Sequence, residues 1–508
     1  MSSEEISSSH SLVDSTLTRR GALGVGLGGI ALFSAACSGG GGSSGAPSGG
    51  GPVPPTAQSE LELLLARATY GHDAATHARA VDLGYEAWLE EQLSPDTIAD
   101  GACDALLAAF PTLTLSSKQN YDQYYAQGNA ARIALELRAA TMLRAAFSKR
   151  QLFERVVEFW SDHFNVDQSD SLQNVLKTQD DRDVVRAHAL GKFPDLLRAS
   201  ARGAAMSFYL GNYRNTATAP NENYGREIME LHSLGVGNYS ESDVKAVARC
   251  FTGWSFQQTN SPAFGAFQFD PARHDDSAKV VLGHAIPAGG GVNDGEIVLD
   301  LLVNHPATGQ FLARKMCRWF LSYEPSTSLV DAVAAAYTQT GGDIKAMLRV
   351  VLAKSSMTWA LTQPAKMKRP FHLAASILRS TPFTITDATS LSTELGRMGH
   401  ETFLWPSPNG YPDSSSAWGL GMLMRWTFAS RLFAGDVAGV AFDPASVFAN
   451  VPAVELARRA DVILSGSRLS PTEVVAIQAY VDGAGGVDAA LQRDVMALAA
   501  SSPSFQTY

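Results

Sequence analysis

The chain has 508 residues and a formal net charge of −10. Hydrophobic residues make up 45% and charged residues 18%, ordinary globular values with ample apolar material for a large core. The acidic balance weighs against a nucleic-acid partner, because phosphate backbones are bound by basic surfaces. Beyond the N-terminal region, no apolar run reaches the roughly 20 residues needed to cross a bilayer.

The N-terminus carries the clearest local pattern. Arg19-Arg20 precedes a weakly apolar, glycine-rich stretch at 24–36, which ends in Ser34-Ala35-Ala36-Cys37. This order resembles a twin-arginine export signal followed by a lipoprotein cleavage box, with Ser34 where such boxes usually carry Leu. The expectation is a signal over residues 1–36, lipid attachment at Cys37, and a Gly/Ser/Pro-rich tether over 37–58 that cannot bury apolar area. The protein would then be periplasmic or cell-surface, held at a membrane by the lipid alone. Cys103, Cys250 and Cys317 fit no zinc or redox spacing, and read either as one disulfide with an odd thiol or as three buried small hydrophobes.

Folded sequence is expected from residue 59 to 508, as one large mainly-α domain. Apolar residues recur three and four apart over 60–68, 85–93, 130–148, 152–164 and 183–202, the stripe of a half-buried helix. A glycine- and aromatic-rich stretch at about 253–295 breaks the pattern and reads as a small extended insertion, with Phe264, Phe267, Phe269 and residues 280–282 in short strands or loops. Helical patterning resumes to Arg379. A second irregular stretch, 405–418, is rich in Pro, Ser, Gly and Asn. Gly341-Gly342-Asp343 and Gly485-Gly486-Val487-Asp488 each precede a helical run, a faint internal echo.

Ionisable residues on faces meant for the core carry the most information. Helices turn about 100° per residue. On the run 223–234, Glu227 lies within about 40° of Leu231 and Leu234, inside the apolar stripe, with His232 at its border and Glu230 at its edge. On the run 152–164, His163 sits beside Trp160 and Phe164 on the stripe, whereas Glu154, Glu158 and Asp162 fall on or near the opposite, solvated face. A carboxylate in an apolar site must be paired, protonated or metal-bound. Glu227 therefore predicts either an ion pair, with Arg186, Arg198 or Arg249, or a metal centre. With His163, His232 and His274 it makes a His/carboxylate set suited to a divalent transition metal, with Asp275 or Glu230 as general base or supporting group. No compact H-E-x-x-H motif is present, so several segments would have to assemble the site. Gly289-Gly290-Gly291 lacks the Lys-Ser/Thr of a P-loop, and no G-x-S-x-G element occurs. Trp254, Trp405 and Trp418, with Tyr411 and Phe269, read as core aromatics or as a carbohydrate-binding surface.

Several motifs together resemble the bacterial family called domain of unknown function 1800. They are LLARATYG at 64–71, EFWSDHFNV at 158–166, NENYGREIMELHSLGV at 221–236, FTGW at 251–254, and His274-Asp275 with Lys279 and Gly283. HPA at 305–307, PSPNGYP at 406–412 and SPSFQ at 502–506 complete the pattern. Tyr411 stands where the family often has Trp, and Gly225 where it often has Ala. The resemblance implies an exported bacterial envelope protein and transfers no catalytic residue. Two functions follow as expectations. One is an envelope protein that binds or assembles envelope material or a partner protein, its motif residues forming a buried ion-pair network. The other is a metal-dependent hydrolytic or oxidative enzyme, with His163, Glu227, His232 and His274 as ligands.

Overall fold

Residues 59–508 are described by a computed structural model. The signal, Cys37 and the tether lie outside the described residues. The first helix, α1 (Glu60–Ala68), is started by Ser59, whose hydroxyl accepts from the Glu62 amide. Two helices then cross the centre of the molecule. These are α2 (Ala130–Phe147) and α3 (Gln151–His163). Next come α4 (Glu222–Glu230) and α5 (Glu241–Cys250), the latter opened by a Ser240/Asp243 capping box.

The insertion follows as two antiparallel ribbons, β1 (Trp254–Phe256) with β2 (Phe267–Phe269), and β3 (Lys279–Val281) with β4 (His284–Ile286). Then come α6 (Asn293–Asn304), α7 (Pro306–Phe320) and α8 (Pro370–Ser380), the last two with Pro in the first turn, where a missing N–H costs nothing. A third ribbon pairs β5 (Phe383–Ile385) with β6 (Val440–Phe442) on either side of α9 (Met422–Ala434), and α10 (Ala489–Ser501) packs along α9. The protein is therefore mainly α with small extended elements. No described helix is long and apolar enough to cross a membrane.

The apolar residues divide into two large clusters. The first gathers residues between Leu63 and Ala360, and the second gathers Tyr70 with the 371–505 region. Helix α2 belongs to both, giving Ile133 to the first and Met142, Leu143 and Ala146 to the second. A small third cluster joins Leu113, Leu137, Ala140 and Phe403. Cys103, Cys250 and Cys317 are free and buried in this apolar material.

Two expectations need correction. The run 183–202 is not one helix: a wide helical turn at Asp180–Arg186 gives way before a separate helix at Phe193–Arg202. Gly191 and Pro194 stand at the break, where helix is costly. The run 223–234 stops at Glu230. The sequence echo has a physical basis in its caps. Asp343 and Asp488 each accept from the amide three residues on, at 2.8 Å, but the first run breaks into two helices.

Candidate functional site

Helix α3 presents acidic residues at four-residue spacing, Glu154, Glu158 and Asp162. Like charges so placed destabilise an isolated helix, so cations must balance them. Arg155 on the helix itself supplies one and distant segments supply the rest, and the expected solvated face is in fact buried at Glu154 and half-buried at Glu158 and Asp162. Glu154 is 6% exposed and takes a two-pronged bond from Arg186, at 2.6 and 3.1 Å. The same guanidinium reaches Asp181 at 3.0 Å. Glu158 accepts from Arg369 at 2.7 Å, from Arg155 at 2.8 Å and from the Tyr70 hydroxyl at 2.8 Å. Asp162 accepts from the other arm of Arg369 at 2.5 Å. Arg369 immediately precedes α8 and so brings a charge from the second apolar cluster to the central helix of the first.

Between these groups lies a cavity of about 40 Å³, bordered by Tyr70, Glu158, Asp162, Arg369, His400 and Tyr411 among others. That is room for about three waters, taking roughly 10–15 Å³ for each. Burial pushes the Asp162 carboxyl up to about 6 in spite of Arg369.

One residue further along α3, His163 faces the other way. Its Nε2 is 3.1 Å from the His232 carbonyl oxygen, so that nitrogen carries the proton and donates. Its Nδ1 is then an acceptor, and Lys315 on α7 donates to it at 2.9 Å. Rings of Phe159, Trp160, Phe164, Phe193 and Phe311 surround the imidazole. Burial lowers the proton affinity of His163, and that of His232 to about 3, so both are neutral near pH 7. His163 and His232 are neighbours, with ring centroids 6.2 Å apart.

A family model described as protein of unknown function, DUF1800, matches residues 63–507. The chain belongs to this family. No curated protein and no solved structure matches the chain.

The remaining DUF1800 motif residues occupy other places. Glu227 is half-buried on α4, and its carboxylate makes no hydrogen bond and no ion pair within 4 Å. Burial, with Glu230 nearby, raises its proton affinity. The expected arginine partners are engaged elsewhere: Arg186 as above, Arg198 with Asp300 and Glu296, and Arg249 with Asp275. The face computed from Leu231 and Leu234 misplaced Glu227, because α4 ends before those residues. Its real inner face is Tyr224, Gly225, Ile228 and Met229. Gly225 lets α5 approach so closely that an added Cβ would stand 2.9 Å from the Val244 carbonyl oxygen. Glu230 accepts a short bond from the Tyr239 hydroxyl.

His274 lies in the insertion. Its Nδ1 is 2.8 Å from the Thr252 carbonyl, and its Nε2 is 3.3 Å from Asp294, which Lys279 meets at 2.5 Å. This buried trio fastens the ribbons onto α6. Asp275 is held well below the usual carboxylate range by its bond to Arg249. The Glu227 carbonyl accepts from the His232 amide at 3.1 Å, but among the described residues neither the Glu227 carboxylate nor the His274 ring meets the His163–His232 pair. Among the described residues, no three His, Cys, Asp or Glu side chains are grouped so as to hold a metal ion.

The second irregular stretch closes the junction. Asn165, directly after α3, donates to the carbonyls of Trp405 and Ser407, both at 2.8 Å, and Tyr209 donates to Pro406 at 2.7 Å. Gly410 has φ +74° and lies against the Asp162 carbonyl, where any Cβ would collide. Tyr411 and Trp418 pack on the His400 ring at 4.1 and 5.1 Å between centroids. Trp254, Trp418 and Tyr411 are thus core aromatics. The residues missed from sequence are Arg369, Tyr70, His400 and Lys315, while Arg186 was expected as an ion-pair partner of Glu227 and instead serves Glu154. The unbalanced acid stripe on α3 signalled that cations were needed, but nothing local says which ones.

Proposed function

We propose that the protein is exported through the twin-arginine route, is held at a membrane by a lipid on Cys37, and serves as a binding body for envelope material or for a partner protein in the envelope. Export is supported by the order Arg19-Arg20, apolar stretch, small residues, Cys37. One observation carries the binding rather than catalytic role. Each acid of the α3 stripe is held by a guanidinium, and the space beside them admits only about three waters by volume. Carboxylates neutralised in this way join parts of a fold, whereas a reaction centre needs a volume that takes substrate. The metal-enzyme alternative draws no support from the placement of His163, Glu227, His232 and His274, whose side chains form no metal-holding group among the described residues.

Fractionation of a bacterial host tests the reading. The wild-type chain is expected in the membrane fraction outside the cytoplasm. The pair Arg19→Lys and Arg20→Lys should strand it in the cytoplasm, and Cys37→Ser should release it from the membrane. Unchanged fractionation in both variants would overturn export and anchoring. Protein isolated without chelators is expected to carry no stoichiometric transition metal, and one bound equivalent would restore the enzyme alternative.

A further inference from the structure

Most buried lysines of this protein meet a carboxylate: Lys177 meets Asp180, Lys279 meets Asp294 and Lys366 meets Asp413. Lys315 does not. Its ammonium spends one N–H on His163 Nδ1 and has no carboxylate within 4 Å. Beside it, His232 is 1% exposed and makes no hydrogen bond through its ring, its Nε2 being fully buried and without a partner. Buried polar groups left this way are exceptional in native proteins. His163 cannot relieve either of them, since both of its nitrogens are committed.

We propose that Lys315 and His232, braced by His163, bind a small oxyanion of the carboxylate or phosphate class. This deepens the binding role proposed above and rests on it. An oxyanion would accept from the two remaining N–H groups of Lys315 and from a ring N–H of His232, which can take either tautomer because no protein group fixes it. The walls of Phe164 and Phe311 lower the local dielectric and strengthen such bonds. Lys315 as a residue is half-buried. Burial holds its proton affinity down to about 8, the mark of an ammonium without sufficient negative company.

The test uses the purified full chain and thermal unfolding in sodium phosphate, sodium acetate or sodium chloride at equal ionic strength. Phosphate or acetate is expected to raise the melting temperature in a saturable way beyond chloride. A response to phosphate alone marks a phosphoryl ligand, and a response to acetate alone marks a carboxylate. Lys315→Met should melt at least as high as wild type without added anion and should lose the response. His232→Phe should weaken it. The proposal is overturned by the absence of any wild-type response beyond chloride, by a full response in Lys315→Met, or by a markedly lower melting temperature of that variant. These outcomes are read on purified protein, so they stand apart from the fractionation result.

Discussion

At the residue scale, Arg369 resolves a conflict that α3 creates for itself. Glu158 and Asp162 are one turn apart with like charge, and both are withdrawn from bulk water. A single guanidinium bonds both, and Asp162 still keeps its proton up to about 6. The buried histidines act in the opposite sense. Burial depresses His163, His232, His372 and His400 in the folded state, His232 to about 3. Below the unfolded value near 6.5, the unfolded chain therefore binds more protons at each, and stability falls as pH falls. Each contributes up to about 1.4 kcal/mol per pH unit in that window. Asp162, raised from 3.8 to about 6, gains stability as pH falls through the same range. His72, lowered to about 4, adds to the loss, while Glu227 and Asp180, both raised by burial, side with Asp162; five groups oppose three, so the loss wins. The midpoint of urea unfolding should be clearly lower at pH 5.5 than at pH 7.5. An equal or higher midpoint at pH 5.5 would show that these imidazoles are not buried in neutral form.

At the element scale, the loop 405–412 is the piece most exactly fitted. Gly410 combines a left-handed backbone with contact against the Asp162 carbonyl. Gly410→Ala should cost about 1–3 kcal/mol for overpacking, with about 1–2 more for the left-handed backbone. Chemical denaturation measures this, and a loss under about 0.5 kcal/mol, the range of ordinary surface changes, would mean that the loop is not anchored there. Helices α1, α2 and α3 were legible from their apolar stripes because periodicity reports one buried face. It cannot report a second. Glu154, Glu158 and Asp162 looked solvated because nothing local distinguishes a face turned to water from one turned to distant arginines. Glu227 failed for a different reason. Leu231 and Leu234 lie beyond the true end of α4, and the close-packed face is marked instead by Gly225, a residue with no side chain to count.

At the scale of the whole molecule, the two apolar clusters share α2 and meet at the charged junction. They should therefore unfold together, and tryptophan fluorescence and far-UV circular dichroism should trace the same denaturation curve. Separated transitions would mean that the clusters are independent units. Family membership and the mainly-α class were readable from motifs and periodicity. The junction was not, because its decisive pair, Asp162 and Arg369, is separated by 207 residues. Long-range pairing of this kind is fixed only once the helices between have packed. The most direct test of the junction as a clamp is a double-mutant cycle on unfolding free energy with Glu158→Gln and Arg369→Met. Arg369→Met, which leaves half-buried Asp162 without a bonded cation and Glu158 with Arg155 and Tyr70 alone, should lose about 3 kcal/mol, and the double variant should lose less than the sum of the singles by about 1–3 kcal/mol. Single variants as stable as wild type, with strictly additive effects, would contradict the account.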